Sequence, residues 1–388
     1  MEHKKEFLDI VENIIERTRL AGSVGEKDTV NYIKKYITQN IGGKSVTQKF
    51  KILTWREKTL PHLTINKETI NCRALYYSPK SNIAGRLEYF AENVEEKGNE
   101  FDVYCIKNKN GTILSFLYVS QKYSKPFYYN KNGATYLLPC VVIGSEYRDF
   151  FHKNIGNNVR LKIDTKYLLK NSYNLVHKIS DRKNKLKLII GAHIDTVPNS
   201  KGVFDNASGI AGTLIASKIL KKTKLPFDIW IVYFGAEENA MFGSKFFVDT
   251  LSEDEIKMVR YMISVDGIGM GNKTCIYVEK DYFRQAEKSF GEIRNDTIIN
   301  DVENMIDASD HYYFKLMGID SCFIEGLPEN FYYHNKEAND IKNLNYDLSI
   351  RTIQALVDFI KNIEFESPRI IFDNKKRRIL SRIFNLLR

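Results

Sequence analysis

The chain has 388 residues, 43% of them hydrophobic, which is enough for two domains with a sizeable core. It carries +10 at pH 7, yet no apolar stretch approaches the ~20 residues that span a bilayer, and MEHKKEFLDI at the start lacks the apolar segment of a secretory leader. Five scattered cysteines (Cys72, Cys105, Cys140, Cys275, Cys322), odd in number and without a CxxC pair, point to reduced thiols and a cytoplasmic location.

Residues 3–18 place Phe7, Leu8, Val11, Ile14 and Ile15 on one helical face, and residues 26–39 repeat the pattern with Val30, Ile33 and Ile37. Between them Ala21 to Gly25 reads as a plain helix–helix connection. From about Thr47 to Lys166 the texture changes. Short β-branched and aromatic runs at 73–77, 101–106, 112–119, 136–143 and 159–163 alternate with turn signals, so 50–166 is expected to be an inserted β-rich domain. Phe127, Tyr128 and Tyr129 within it are assigned to packing.

Tyr173 to Val176 begins the main sheet, and the apolar run 186–192 continues it as a strand buried on both faces. His193 and Asp195 follow directly, and Asp205 lies twelve residues beyond His193. Residues 209–221 read as a helix with Ile210, Leu214, Ile215 and Ile219 inward. A second buried strand at 228–234 delivers Glu237 and Glu238, and a third at 261–265 delivers Asp266. Gly267-Ile268-Gly269-Met270-Gly271 lacks the full GxGxxG spacing and a following helix, and no HExxH, Walker A loop or GxSxG elbow occurs. Ser309 is placed as the N-cap of a helix through Met317, with Asp310 and His311 as orienting or packing groups. A last helix at 349–364 buries Ile350, Ile353, Val357 and Ile360. The tail 367–388 holds Arg369, Lys375, Lys376, Arg377, Arg378, Arg382 and Arg388 against Asp373, more than half of the net charge. It is read as docking on this protein or a second copy of it, with no nucleic-acid partner.

Any one of these acids or imidazoles alone would be a turn residue or a solvated group. Three strands, however, aim His, Asp and Glu at the crevice beyond their carboxyl ends, where open α/β sheets bind ligands. Like charges gathered there repel unless cations neutralise them, and imidazole with carboxylates suits zinc or a related divalent ion.

His193-Ile194-Asp195, Asp205-Asn206-Ala207-Ser208-Gly209, Glu237-Glu238, Asp266 and Tyr333-His334 together resemble the co-catalytic zinc aminopeptidases, metallopeptidase family twenty-eight. Ser309-Asp310-His311 with Phe314 and Gly318-Ile319 is similar to another signature of that family, and Arg19-Leu20-Ala21-Gly22-Ser23 to its opening motif. The resemblance covers 1–49 and 170–365. It implies an α/β fold with a mixed, mostly parallel central sheet and helices on both faces, the catalytic domain being 1–49 with 167–366. The end of the insert resembles a protease-associated domain, with a generic β-rich lid or dimerisation module as the alternative.

The resemblance also implies roles. His193 and Asp266 bind one zinc, Glu238 and His334 the other, and Asp205 bridges them, with cobalt or manganese as alternative metals. Glu237 is the general base for a metal-activated water, the Asp195 carboxylate accepts the other N–H of the His193 imidazole, and Tyr333 hydrogen-bonds the oxyanion. The expected reaction is hydrolysis of the N-terminal bond of a peptide substrate, by a chain that can form a homo-oligomer. Where the family reaches an Asp four residues after this His, here stands Ala338, and Asp340 comes later. Three alternatives remain open: a glutaminyl cyclase, a dipeptidase or carboxypeptidase on the same fold, and an inactive binding protein.

Overall fold

The computed structural model describes residues 2–96, 99–126, 137–183, 185–198, 200–305, 308–327 and 340–365. The candidate residues Tyr333 and His334, the aromatic residues Phe127, Tyr128 and Tyr129, and the basic tail 367–388 lie outside the described residues. Two compact units divide the chain: Met1–Ile52 with Lys170–Arg388, and Leu53–Leu169. Among the described residues no helix is long and apolar enough to cross a membrane.

The first unit is built on a mixed, mostly parallel sheet. Asp320–Leu327, Val259–Val265, Lys187–His193 and Asp228–Phe234 lie side by side and run parallel. Antiparallel neighbours flank them, Lys273–Val278 on Asp320–Leu327 and the end of Asn158–Lys178 on Asp228–Phe234. Thr297–Asp301 adds a parallel edge beside Lys273–Val278.

Both faces of this sheet are covered, which is why its central strands are apolar throughout instead of alternating. Leu188, Ile190 and Ala192 share a core with Phe7, Val11 and Ile14 of helix Glu2–Ile15. Helices Val24–Asn40, Gly209–Leu220 and Tyr346–Asn362 pack into that same core. On the other face Ile189, Trp230, Val232, Phe234 and Met262 meet Phe247, Val248 and Phe314. Each such fully buried aliphatic or aromatic side chain contributes roughly 1.5–3 kcal/mol. The expected fold class therefore holds, helices on both faces included.

Helix boundaries differ from the sequence reading in instructive ways. The first helix stops at Ile15, and Ile10 is buried on it while Leu8 is only half-buried. The second begins at Val24 because the Ser23 hydroxyl accepts from the Glu26 N–H at 3.1 Å. Gly25 thus sits inside a helix and is more than a connector: a Cβ there would lie 2.1 Å from the Thr18 carbonyl oxygen. The last helix starts at Tyr346, three residues before Ser349, where the Asn345 side chain accepts from the Leu348 N–H.

The second unit is β-rich. Ser81–Glu96 pairs with Asn158–Lys178 and Asn99–Lys107, followed by Ile113–Ser120, Cys140–Ile143 and Cys72–Ala74. Trp55, Leu63, Ile65, Tyr76, Tyr104, Leu117, Val141, Phe151 and Leu161 form its core. Two strands here exceed the sequence reading. Lys44–Ile65 runs for 22 residues, with charged side chains between its buried positions, and Ser81–Glu96 runs for 16.

Candidate metal centre

All but one of the functional side chains stand where a parallel strand of the first unit ends; Asp205 is the exception. His193 is the last residue of Lys187–His193. Asp205 lies in the turn Val203–Ser208, just before helix Gly209–Leu220, and the Asp205–Asn206 peptide is cis. Glu237 and Glu238 follow Asp228–Phe234 across Gly235 and Ala236, and Asp266 follows Val259–Val265.

These ends converge. The Nε2 of His193 lies 2.9 Å from an Asp205 carboxylate oxygen and 3.2 Å from one of Asp266. The three side chains offer ligand atoms all within 4.8 Å of one another. Glu238 is buried and lies outside that triad, with its carboxyl in the field of Asp205 and Glu237. The structure therefore brings His193, Asp205 and Asp266 together and sets Glu237 and Glu238 beside them.

Asp195 acts differently from the sequence expectation. The nearest acceptor to His193 Nδ1 is the backbone carbonyl of Asp195 at 3.1 Å, while its carboxylate stands 3.8 Å away. That carbonyl fixes the proton on Nδ1 and leaves Nε2 facing Asp205 and Asp266. The Asp195 carboxylate instead accepts the backbone N–H groups of Glu237 and Glu238, at 2.8 and 3.1 Å. One buried residue thus ties the imidazole to the acidic pair.

Two further groups were hidden in the sequence. Asn206 donates to the Val265 carbonyl at 2.9 Å and accepts from the Gly209 and Gly267 N–H groups, at 3.0 and 3.4 Å. It knots the turn carrying Asp205 to the strand end carrying Asp266. Asn206→Ala is expected to cost roughly 2–4 kcal/mol, since it strands buried backbone groups. Urea denaturation measures this, and a loss below about 1 kcal/mol would show that the knot is weak. Ser309 is the second group, and it corrects the sequence reading. Helix His311–Leu316 has Asp310 at its N-cap with no side-chain cap. The Ser309 hydroxyl instead donates to Asp266 at 3.2 Å and meets Ser264 at 3.0 Å. His311 packs: its Nε2 bonds the Met305 carbonyl at 2.9 Å, its ring stacks on Phe323, and burial pushes its pKa down to about 3.

The electrostatics of the cluster follow from burial and crowding. Burial raises the Glu237 carboxyl well above the carboxylate range, and Asp310, Asp266 and Asp195 add to the rise against the pull of His193. Burial, Asp205 and Glu237 do the same for Glu238. Asp266 rises for like reasons, and Asp310 is pushed to about 7 by burial despite His193. For His193 burial acts downward, yet Asp266 and Asp205 outweigh it and hold the imidazole well above its ordinary value. A divalent cation among these oxygens and this nitrogen would reverse the repulsion, and the donor set matches zinc and its neighbours.

Beneath the Glu237 loop sits another buried acid, Glu26. It accepts from the Gly22 N–H at 2.8 Å and from the Ser172 hydroxyl. Burial and the charge of Asp195 push its carboxyl from 4.5 up to about 8. The unfolded chain releases this proton first, so the contribution is full below the unfolded value and stability falls as pH rises through that window. Glu26→Gln stays neutral throughout. Its unfolding free energy is expected to fall less between about pH 5 and pH 8 than that of the parent chain. Equal slopes would exclude Glu26 as the source.

With this geometry in place, the comparisons with known proteins are direct. The sequence model of peptidase family M28 matches residues 174–360. Aminopeptidase YwaD of Bacillus subtilis (strain 168) is 28% identical over 250 residues, covering 60% of this chain and 54% of that protein. The chain thus spans about half the length of the curated relatives it matches. Among solved structures, an aminopeptidase from Aneurinibacillus sp. strain AM-1 superposes with a TM-score of 0.75 at 19% identity, over 95% of this chain and 96% of that one. BSAP, a zinc aminopeptidase from Bacillus subtilis, gives a TM-score of 0.73 at 20% identity, over 94% and 98%. These structures share the fold.

Proposed function

We propose that this chain, whose residues 174–360 belong to peptidase family M28, is a zinc aminopeptidase that hydrolyses the N-terminal bond of peptides. The observation that carries the reading is the placement of His193 Nε2 between Asp205 and Asp266, with Glu237 held beside them through Asp195. In the proposed arrangement His193 and Asp266 would hold one zinc and Glu238 and His334 a second, with Asp205 as a ligand shared by both. Zinc bound there supplies Lewis-acid polarisation of the scissile carbonyl and a more acidic water.

The chain's own groups do the rest. Glu237 accepts the proton of the attacking water and passes it to the leaving amine, a role suited to a carboxyl whose backbone N–H is anchored on Asp195 beside His193, Asp205 and Asp266. Asp195 keeps Glu237 in place through its backbone N–H and holds the His193 ring through its own carbonyl. Tyr333 donates to the developing oxyanion. The substrate's α-ammonium is met by the acidic cluster, which favours a free N-terminus over a blocked one. The five cysteines, odd in number, scattered along the chain and all buried, support a reducing compartment, and we propose a cytoplasmic location on that ground.

The test is a metal add-back. Chain stripped with EDTA is expected to regain hydrolysis of aminoacyl-nitroanilides when zinc is returned, with free amino acid as product and two zinc ions per chain by metal analysis. Pyroglutamate from N-terminal Gln peptides would instead indicate a cyclase. Silence on both substrate sets, with zinc bound, would leave a dipeptidase or carboxypeptidase and an inactive binding protein, which digestion of dipeptides and of N-terminally blocked peptides separates.

A further inference from the structure

Arg19 is fully buried, 0% exposed, four residues past the end of the first helix. A guanidinium taken out of water is costly to hold, and buried charges are ordinarily matched by an opposite charge in contact. Arg19 spends its donors on neutral backbone instead. Its Nε donates to the Ile194 carbonyl at 2.7 Å, one terminal nitrogen to the Lys201 carbonyl at 2.7 Å, and the other to the Gly202 carbonyl at 3.0 Å. The Ile14 carbonyl is a longer partner at 3.5 Å, and the Arg19 N–H donates to the Thr196 hydroxyl at 3.3 Å.

The choice of carbonyls is informative. Ile194 opens the connection that leads from His193 to Asp205, and Lys201 and Gly202 close it. Among its described residues, 194–198 and 200–202 belong to no strand or helix, and beyond the Ile194 N–H on the Phe234 carbonyl at 2.7 Å no ladder bond to a strand is seen there. The planar fork of one arginine grips both of its ends, a geometry that a lysine ammonium cannot reproduce. Gly202 shows how closely the two are fitted. Its φ is +56°, and a Cβ there would lie 2.7 Å from an Arg19 terminal nitrogen and 2.2 Å from the Asp205 carbonyl oxygen. The carbonyl of Gly202 also accepts from the Ala207 N–H at 3.0 Å, which carries the grip across Asp205 to the start of the next helix.

The guanidinium stays charged. Burial lowers its pKa only to about 10, because Asp205, Asp195 and Glu238 draw it back up. Its positive charge therefore lies in the field of the acidic cluster, and among the described residues no carboxylate makes an ion pair with it.

We propose that Arg19 is a positioning residue of the metal centre: by clamping both ends of the His193–Asp205 connection it sets the Asp205 carboxylate opposite the imidazole before a cation arrives. The proposal rests on the reading of the site as a metal centre and is independent of which bond is hydrolysed.

The experiment is zinc titration of the EDTA-stripped full chain by calorimetry, at a temperature well below melting, for the parent, Arg19→Ala and Arg19→Lys. Groups that orient metal ligands typically carry about 10–100-fold in affinity, and a loss of that size is expected for Arg19→Ala. Guanidinium chloride at a low, non-denaturing concentration is expected to restore binding in Arg19→Ala but not to change the parent, with potassium chloride as the ionic control. If Arg19→Ala does not fold, Arg19→Lys carries the test, since it keeps the charge and loses the fork, and reduced zinc affinity is expected there too. A variant that melts lower yet binds zinc as tightly as the parent would overturn the proposal, leaving Arg19 a stabiliser of the fold alone. A parent chain that binds zinc but cleaves no aminoacyl substrate would defeat the aminopeptidase reading while leaving the Arg19 comparison intact.

Discussion

Glu237→Gln is expected to bind zinc as the parent does while kcat falls by about 10²–10⁴-fold. The two halves of this result have separate physical origins. The substitution preserves shape, and what holds residue 237 in place is its backbone N–H on the Asp195 carboxylate at 2.8 Å, which the side chain does not affect. The triad of His193, Asp205 and Asp266 is likewise untouched. What disappears is an oxygen able to take a proton. The sign with pH follows from the same environment. Burial and the surrounding acids raise the Glu237 carboxyl; in the proposed role its basic form is lost as pH falls, and the acid limb of the kcat profile is expected to be its own. In the variant the residual rate should lose that limb. Metal analysis and a nitroanilide rate profile decide the matter, and near-parental kcat with full zinc would remove Glu237 from the base role.

Much of this site was legible in the sequence because His193, the Glu237-Glu238 pair and Asp266 stand at or just after the ends of apolar runs. A strand buried on both faces must be apolar along its whole length, and it must stop where the first unpaired polar group appears. His193, Glu237 and Asp266 mark such stops, and parallel pairing brings the stops to one edge. What escaped were residues whose signal is a partner far away in the chain. Asn206 looks like a turn residue until its amide is seen on the Val265 carbonyl, and Ser309 like a helix cap until its hydroxyl meets Asp266. Arg19 was visible only as a letter in a motif, since nothing nearby reveals that its acceptors lie at Ile194, Lys201 and Gly202. The long strands Lys44–Ile65 and Ser81–Glu96 were obscured for another reason. Lysines and glutamates interrupt the alternation, which a half-exposed strand tolerates on its wet face, and Pro61, although buried in Lys44–Ile65, reads in the sequence as a strand breaker.

Asp205→Ala tests the other half of the mechanism, the claim that one carboxylate serves both metal positions. Asp205 stands 2.9 Å from the imidazole Nε2 that is assigned, with Asp266, to the first proposed position, and its charge is the foremost carboxylate influence on Glu238, which is assigned to the second. A ligand that served one position alone would leave the other loaded when removed. A shared one empties both. Zinc content is therefore expected to fall below one per chain, and kcat/KM by on the order of 10⁴-fold or more, since the metal's share of transition-state stabilisation amounts to several kcal/mol. Stability gives a readout free of catalysis. A ligand at a hundred times its Kd stabilises the folded state by about 2.7 kcal/mol, so the parent should melt higher when zinc is added, and Asp205→Ala should not. The knot formed by Asn206 does not involve the Asp205 side chain, so the turn itself should persist, and circular dichroism of the stripped variant should match that of the stripped parent. If Asp205→Ala retained one tightly held zinc and the full melting shift, the two positions would not share this carboxylate, and Glu238 would have to be sited without it.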